Sequence, residues 1–222
     1  MIIKPRTINA VLRLVFGLAC RVDAKDVQKI PLDGPLILVG NHITFLEVPV
    51  AMAHLDNPRV TALAKKISWN NLLFRFLFNQ WGIIPIDLTG LDREAFRRSS
   101  EALGQGMILA IFPEGTRSHG HMLRGKPGVT ALAFRSQAPI IPVGFYGYED
   151  FWNNLKHLRR TDFHMVVGEP FRLNLEGIAL SRDVRQEITD EIMYKVAELV
   201  PERYRGYYHE VNSVSYRYAV SA

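Results

Sequence analysis

The sequence predicts an α/β fold in which a largely parallel central sheet is flanked by helices. Short apolar runs, typical of strands buried on both faces, alternate with segments of helical periodicity, and this alternation indicates an α/β layer architecture. The predicted strands are 36–39, 60–64, 82–86, 107–112, 140–143 and 163–167. The predicted helices are 45–54, 67–80, 92–104, 127–137 and 182–199. Ser181, a favourable N-cap residue, precedes the last helix, and Pro201 follows it.

The first element along the chain is a predicted N-terminal amphipathic helix, an appendage to the sheet, within the segment Ile8 to Val22. A membrane-spanning helix needs about 20 mainly apolar residues, but Arg13 interrupts this segment and Arg21 closes it. A secretory signal also fits poorly, because no small-residue cleavage site follows the apolar part. With Lys4 and Arg6 nearby, the helix is basic. We expect it to lie in the lipid interface or to pack on the protein's own core.

Two further segments have strongly aromatic compositions. The segment 67–81 is apolar on nearly every side of a helix, apart from Arg75, which predicts either deep burial or partial contact with lipid. The end of the chain is rich in tyrosine, a composition that suits a wet interface and a docked tail equally. These residues are Tyr204, Tyr207, Tyr208, Tyr216 and Tyr218.

Length and composition indicate a single globular domain. The chain has 222 residues, of which 48% are hydrophobic and 22% charged, which excludes a disordered tail or a fibre. Its one cysteine, Cys20, cannot form an intrachain disulfide. The predicted domain spans 1–222, with an N-terminal interfacial helix (about 1–28), a motif-bearing core (about 30–170) and a C-terminal helix and tail (about 171–222). The net charge of +5 is compatible with phosphate substrates, acidic lipid surfaces or nucleic acid.

A histidine and a carboxylate follow the strand predicted at 36–39. His42 falls at the carboxyl end of this strand, where ligands gather in parallel α/β sheets, and Glu47 comes five residues later. The pair has the parts of a general base and the carboxylate that orients it, provided that His42 lies in the turn and Glu47 in the first helical turn. A structural alternative uses the same carboxylate, because Thr44 and Glu47 have the spacing of a helix capping box. The spacing alone leaves both interpretations open.

A second polar turn follows the strand predicted at 107–112. In the run from Phe112 to Ser118, Gly115 permits close backbone approach, and Arg117 offers a planar fork matched to phosphate oxygens. The alternative is a polar turn in which Glu114 and Arg117 merely pair with each other. Two such turns at neighbouring strand ends favour a shared binding site.

Together these blocks resemble the lysophospholipid acyltransferase family, which includes the glycerolphosphate and 1-acylglycerol-phosphate acyltransferases. The family pattern is Asn-His-x-x-x-x-Asp, then Phe-Pro-Glu-Gly-Thr-Arg-Ser, then a Pro-Val strand. The corresponding residues here are Asn41, His42, Glu47, all seven residues of 112–118, and Pro142-Val143, with smaller matches at Lys65-Lys66 and Lys126-Pro-Gly128. The resemblance covers roughly residues 30–170.

The resemblance implies transfer of a fatty acyl group from a thioester of coenzyme A or acyl carrier protein to the hydroxyl of a lysophospholipid such as 1-acylglycerol-3-phosphate. It implies that His42 is the general base, that Glu47 holds it, and that Arg117 binds the acceptor phosphate. The residues that it assigns to the acceptor site are Glu114, Gly115, Thr116, Arg117 and Lys126. No metal, cofactor or covalent acyl-enzyme is expected. The implied role is phospholipid synthesis or remodelling, peripherally on the cytoplasmic face of a membrane.

Two departures from the family pattern affect the expected activity. The family's acid is almost always Asp, and Glu47 carries one more methylene, a displacement that can cost about 10²-fold in rate. Leu88 stands where the family commonly has an Arg that helps to hold the acceptor phosphate. Arg93, Arg97 or Lys126 could supply the missing charge. Alternatively, the acceptor is a lyso-aminolipid or glycolipid, or the protein is a weakly active lipid-binding module.

Other patterns carry weaker signals. His119 and His121 have the spacing of two metal ligands, but no third Cys, His or carboxylate has a convincing spacing to complete the site. Nucleotide-binding glycine loops and nucleic-acid modules are absent from the sequence, so no nucleic-acid partner is expected. Hydrolysis of the thioester is a further hypothesis, disfavoured because no serine stands in a Gly-x-Ser-x-Gly elbow.

Overall fold

A computed structural model describes residues 5–222, and within them the fold centres on a nine-stranded sheet. The strands are β1 (Cys20–Asp23), β2 (Leu36–Gly40), β3 (Val60–Lys65), β4 (Ile84–Ile86), β5 (Ile108–Ile111), β6 (Ile140–Tyr146), β7 (Thr161–Val167), β8 (Phe171–Leu173) and β9 (Ala219–Ser221). Seven of them lie side by side in the order β1-β7-β6-β2-β5-β3-β4. β8 extends from β6, and β9 pairs with β8.

The helices that flank the sheet begin and end close to their sequence signals. They are α1 (Pro5–Ala19), α2 (Glu47–Leu55), α3 (Leu72–Gln80), α4 (Arg93–Gly104), α5 (Gly128–Ser136), α6 (Phe151–Lys156) and α7 (Arg182–Ala197), with 3₁₀ turns at Lys25–Lys29, Lys66–Asn70, Glu202–Tyr204, Gly206–Tyr208 and Val211–Ser213. The predicted cap of α7 is present, because the Ser181 hydroxyl accepts a hydrogen bond from the amide of Val184 at 3.2 Å. None of the helices within residues 5–222 has the length and hydropathy needed to cross a membrane.

The predicted, largely parallel sheet is confirmed. β2 pairs in parallel with both β5 and β6, β3 pairs in parallel with β5 and β4, and all five residues of β2 are buried. This explains the continuous apolar runs, because a strand covered on both faces has no polar side. The antiparallel pairing of β6 with β7 and the short strands β8 and β9 complete the sheet on one side.

The sequence patterns do not predict four of the observed elements: β1, α6, β8 and β9. The N-terminal segment, expected to be helical as far as Val22, leaves the helix at Ala19, and Cys20–Asp23 then pair with β7. Each of these strands has four residues or fewer, and α6 has six. Elements this short do not span enough residues to display a period. The three strands form because they pair with strands that lie far away in sequence.

Helix α1 packs one face on the core and leaves an apolar face uncovered. Ile8 and Phe16 are buried, and the buried Asn9 side chain donates to Asp56 at 2.8 Å and accepts from the Trp81 indole at 2.9 Å. The outward face consists of large apolar side chains between 50% and 73% exposed: Val11, Leu14, Val15 and Leu18. The core-packing alternative therefore holds for the inner face, and the same helix keeps a second apolar face.

Two of the basic residues expected in this segment, Arg13 and Arg21, are engaged by the fold. Arg13 donates to the carbonyl of Ala53 at 2.6 Å and lies 3.4 Å from Asp56. Arg21 lies in β1 rather than in the helix, and its guanidinium pairs with Asp162 at 2.5 Å. Lys4 lies outside the described residues. Arg21 therefore lies outside the predicted basic helix, and acceptors distant in sequence engage both Arg13 and Arg21.

The two aromatic segments also take definite positions. In α3, Leu77 and Phe78 are buried, whereas Leu72 and Leu73 are 77% and 63% exposed, so that one face of the helix is buried and another is exposed.

The tyrosine-rich end of the chain is a docked tail. Tyr204 and Tyr208 are buried, and their hydroxyls donate to Glu149 and Asp190 at 2.6 and 2.8 Å.

Candidate active site

The two polar turns lie together at one edge of the sheet. His42 follows β2, the run 112–118 follows β5, and these strands are parallel neighbours with Val39 opposite Ile111. The carboxyl ends of parallel neighbours share an edge, so the fold brings both turns to the same place. Hydrogen bonds join them directly, because the amide of Ser118 donates to the carbonyl of His42 at 2.7 Å and that of His119 to the carbonyl of Ile43 at 3.1 Å.

The His42 ring faces the Glu47 carboxylate. Nδ1 of His42 lies 3.5 Å from Oε2 of Glu47, with His42 in the loop after β2 and Glu47 the first residue of α2. Glu47 is wholly buried, while the His42 side chain is 21% exposed and lines an open cavity. The imidazole also lies against Phe112, with 4.9 Å between ring centres. With Nδ1 turned to the carboxylate, the other ring nitrogen is left for a substrate.

Glu47 serves the local backbone as well. Its Oε1 accepts hydrogen bonds from the amides of Ile43 at 2.5 Å and Thr44 at 2.7 Å, while its Oε2 faces His42. The Thr44 hydroxyl accepts from the amide of Leu46 at 3.1 Å rather than completing a reciprocal capping box. One carboxylate thus makes both sets of contacts, with Oε1 bound to the backbone of the turn and Oε2 facing the imidazole.

Glu114 lies behind the histidine loop. It is 2% exposed, and its two oxygens accept from the amides of His42 and Leu123, both at 2.8 Å. Burial raises the pKa of Glu114 to about 7; the two amides oppose this shift, and the Glu47 carboxylate adds to it. Glu114 is not among the residues that line the cavity. Its contacts hold the backbone of His42 in place, and it does not pair with Arg117 in the described part of the chain.

A mainly apolar cavity of about 620 Å³ opens beside His42. Its apolar wall includes Phe45, Phe74, Phe78, Ile86, Phe96 and Leu132. Gly115, Thr116, Arg117 and Lys126 line the same cavity, so four of the five residues predicted for the acceptor site share it with His42. A volume of this size lies within the range of small-molecule pockets, about 300–1,000 Å³.

The polar part of the cavity is cationic. Lys65, Arg117 and Lys126 line it, and within residues 5–222 none of these three forms an ion pair, whereas the carboxylate in the lining, Asp92, pairs with Lys66 at 3.1 Å. Gly115 has a φ of +66°, and a Cβ built on it would lie 3.2 Å from Leu88 Cδ1 and 3.4 Å from Lys126 Nζ. The Lys126 ammonium and the side chain of Leu88, the position where the family commonly has an arginine, therefore both lie against Gly115. Unpaired cations over an open cavity favour an anionic ligand.

The other candidate cations are engaged elsewhere. Arg97 pairs with Glu94 at 2.7 Å and with Glu101 at 2.5 Å on the exposed face of α4, and neither Arg93 nor Arg97 lines the cavity. His119 and His121 are both exposed, and within residues 5–222 no group of three or more potential metal ligands is present.

Sequence patterns miss two residues of the site. Ser99, in the middle of α4, is fully buried and lines the cavity, and Tyr148, after β6, is fully buried beside Glu47. Neither belongs to a motif. The one available signal for Ser99 was a small polar residue on the inner face of an amphipathic helix, and Tyr148 follows the Pro-Val strand by five residues.

The chain is similar to known acyltransferases. A family model described as Acyltransferase matches residues 21–146. The mouse 1-acyl-sn-glycerol-3-phosphate acyltransferase alpha is 33% identical over 138 residues, covering 60% of this chain and 48% of that protein. An Arabidopsis thaliana N-acylphosphatidylethanolamine synthase is 29% identical over 170 residues, covering 67% of this chain and 60% of that protein. The chain spans about half the length of the mouse relative.

The fold has a counterpart among solved structures. The crystal structure of the 1-acyl-sn-glycerophosphate acyltransferase from Thermotoga maritima matches with a TM-score of 0.63 at 22% identity, covering 85% of this chain and 76% of that one. The fold and the paired turns define an acyltransferase-type protein. The chain belongs to the acyltransferase family, and its relatives include 1-acylglycerol-3-phosphate acyltransferases.

Proposed function

We propose that the protein transfers a fatty acyl group from an acyl thioester to the hydroxyl of 1-acylglycerol-3-phosphate. The observation that carries this proposal is that His42 and Arg117 line one cavity. A base for the acceptor hydroxyl and cations for its phosphate are then available in a single apolar space. The relatives named as 1-acylglycerol-3-phosphate acyltransferases support the same substrate class.

The proposed reaction needs one base and no covalent enzyme intermediate. The free ring nitrogen of His42 takes the proton from the acceptor hydroxyl, and the oxygen attacks the thioester carbonyl. Glu47, facing Nδ1, orients the imidazole and stabilises its protonated form. As the tetrahedral intermediate collapses, the carbon–sulfur bond breaks and the imidazolium proton passes to the leaving thiolate. The products are an ester and a free thiol, from coenzyme A or from acyl carrier protein.

The acceptor phosphate is assigned to Arg117 and Lys126, with Gly115 and Thr116 forming the turn beside it. The absence of ion pairs at these cations supports this assignment, and because the Lys126 ammonium and Leu88 both lie against Gly115, we assign Lys126 the role of the missing arginine. We assign Glu114 a positioning role, since both of its oxygens hold backbone amides. The apolar wall is assigned to the acyl chain.

We further propose that the protein works at a membrane surface, with its apolar rim in the lipid interface. Ile67 and Leu91 line the cavity and are 70% and 82% exposed, so the mouth of the cavity is itself apolar. The uncovered face of α1 adds Leu14 and Leu18, and apolar surface of this kind is typical of interfacial binding. Both substrates carry acyl chains, which a protein seated in the interface can receive directly from lipid.

A second acceptor class is favoured by one observation. Leu88 leaves the acceptor side of the cavity with one arginine fewer than the family pattern, and one relative is named as an N-acylphosphatidylethanolamine synthase. An aminophospholipid, acylated on its amine, is therefore the alternative acceptor. It demands less positive charge than a phosphate monoester.

A panel of acceptors tests the proposal. The purified protein is incubated with labelled acyl-coenzyme A, or with acyl carrier protein loaded with the same chain, and with 1-acylglycerol-3-phosphate, 1-acylglycerophosphoethanolamine or phosphatidylethanolamine. We expect the highest kcat/KM with 1-acylglycerol-3-phosphate, loss of turnover in His42→Ala, and a rise of about tenfold in the acceptor KM for Lys126→Met, the scale of one lost charged hydrogen bond.

The outcomes separate the alternatives. Full turnover in His42→Ala contradicts the assigned base. A preference for the amine acceptor supports the second class. Free fatty acid released without any acceptor indicates a hydrolase. No turnover with any donor and acceptor indicates a lipid-binding module.

A further inference from the structure

Five buried side-chain polar atoms have no hydrogen-bond partner within residues 5–222: the hydroxyls of Ser99 and Ser118, and three atoms around the proposed catalytic pair, namely Nδ1 of His42, Oε2 of Glu47 and the hydroxyl of Tyr148. Unpartnered polar atoms are rare in protein interiors and call for an explanation. Two of the three already form the proposed catalytic pair, 3.5 Å apart. Glu47 acts on the Tyr148 hydroxyl both through its charge and at hydrogen-bonding range, so the hydroxyl lies next to this pair although it makes no well-formed hydrogen bond to it. The three atoms therefore form one cluster.

The fold holds Tyr148 firmly at this position. The side chain of Asn41, next to His42, donates to the carbonyl of Phe145 at 2.9 Å and accepts from its amide at 2.8 Å, which fixes the end of β6 against the histidine loop. Gly147, with a φ of +98°, then turns the chain. The Tyr148 ring stacks on Phe163, with 4.2 Å between ring centres. The hydroxyl is thus placed by the backbone and by the ring.

The chemistry of the cluster gives the hydroxyl one role. Burial, followed by the charge of Glu47, raises the pKa of Tyr148 well above its ordinary value, so the hydroxyl stays protonated and is a donor. Oε1 of Glu47 already accepts from two amides, whereas Oε2 accepts no hydrogen bond and lies 3.5 Å from Nδ1 of His42. At 3.5 Å, that contact is longer than a normal hydrogen bond and fixes the carboxylate weakly.

We propose that Tyr148 is a positioning residue, whose hydroxyl donates to Oε2 of Glu47 and holds the carboxylate in line with His42. The inference rests on the proposed acyl transfer and extends it to a residue outside the motifs. Glu47 is one methylene longer than the family's aspartate, so its carboxylate has an additional rotatable bond to restrain. Tyr148 provides that restraint from the segment that follows β6.

The test compares Tyr148→Phe with Tyr146→Phe, a matched control that loses the same atom two residues away. Tyr146 stacks on His164 and lies outside the cavity lining. We expect kcat of Tyr148→Phe to fall about tenfold with both KM values unchanged, as for loss of one hydrogen bond to a charged group. The low-pH limb of the kcat/KM profile moves to higher pH, because a carboxylate relieved of the donor holds the proton on the imidazole more strongly. Tyr146→Phe retains wild-type kinetics.

A double-mutant cycle separates positioning from a general packing role. In a Glu47→Gln background, Tyr148→Phe is expected to cause no further loss, because its effect acts through the carboxylate. An equal loss in both backgrounds, or a Tyr148→Phe profile identical to that of Tyr146→Phe, overturns the inference while leaving acyl transfer intact. A wild-type protein without acyl transfer refutes the proposed function instead. Thermal melts of all variants exclude unfolding as the cause.

Discussion

Replacing Glu47 by glutamine removes the negative charge beside the proposed base, His42, but keeps a polar side chain at that position. The amide oxygen can take the place of Oε1 and continue to accept from Ile43 and Thr44. The amide nitrogen then takes the place of Oε2, 3.5 Å from Nδ1 of His42. Because that nitrogen is a donor, it favours the tautomer in which Nδ1 accepts and the ring nitrogen facing the cavity carries the proton. That nitrogen can no longer act as a base.

The expected loss in rate is large compared with the loss in stability. The analogous change in a Ser-His-Asp triad lowers kcat about 10⁴-fold, so we expect a fall of about 10³- to 10⁴-fold, or roughly 4–5.5 kcal/mol in the barrier. The free energy of unfolding should fall by only about 1–2 kcal/mol, because the amide still accepts from both backbone groups but lacks a charge at the start of α2. For a chain of this size that corresponds to about 2–8 °C in Tm.

The assay follows thiol release from acyl-coenzyme A together with labelled product, and calorimetry gives Tm. Glu176→Gln, in an exposed loop, is the control and should match the wild type in both. A kcat for Glu47→Gln within tenfold of the wild-type value would refute the assignment of Glu47 to the base. A fall in Tm much beyond the stated range would mean that the carboxylate acts chiefly as a cap.

Three further predictions follow from the same contacts. Ser99→Leu fills part of the cavity, so kcat/KM for a long acyl donor should fall about tenfold relative to one two carbons shorter; equal loss for both chains contradicts an acyl role for this wall. Glu114, whose pKa rises to about 7 on folding, stabilises the protein fully below pH about 4.5 and loses this contribution as pH rises through about 7. Urea titrations of the wild type should therefore show a decline of up to about 3 kcal/mol in the free energy of unfolding over that range. This decline should be absent in Glu114→Gln, and parallel declines in both proteins would contradict the assignment to Glu114. Leu14→Asp with Leu18→Asp should abolish co-sedimentation with vesicles of phosphatidylglycerol and phosphatidylcholine, whereas Leu32→Asp, equally exposed before β2, should not; retained sedimentation of the α1 variant contradicts interfacial binding by that face.

Much of the fold follows from local patterns, because its central strands are buried on both faces. A strand such as Leu36–Gly40 has no solvent side and therefore appears in the sequence as an unbroken apolar run. The helices that cover the sheet carry caps that can be recognised locally, as Ser181 does for α7. β1 was not predictable in this way. Its four residues continue the apolar pattern of the preceding helix, and their extended form depends on pairing with β7, about 140 residues later.

The site was predictable where a motif fixes both the residue and its place at a strand end. His42 and Arg117 follow adjacent parallel strands, so their meeting in one cavity follows from topology. The orientation of Glu114 could not be predicted in this way. Its side chain points inward because it accepts from the amides of His42 and Leu123, which come together only in the folded chain. The pairing of Arg13 is of the same kind, since the carbonyl of Ala53 and the carboxylate of Asp56 lie about 40 residues away in sequence.

The sequence presents a capping role and a catalytic role for Glu47 as alternatives. This choice assumes that one carboxylate can make only one set of contacts, whereas the structure shows both sets. A carboxylate has two oxygens and about four lone-pair positions, so one side chain can satisfy two sets of donors. Oε1 secures the amides of Ile43 and Thr44, which fixes the turn that carries His42, and Oε2 is left to face the ring. The hydrogen bonds that Oε1 accepts therefore orient Oε2 toward His42. A variant that disturbs the turn should lower kcat even where the carboxylate itself is retained.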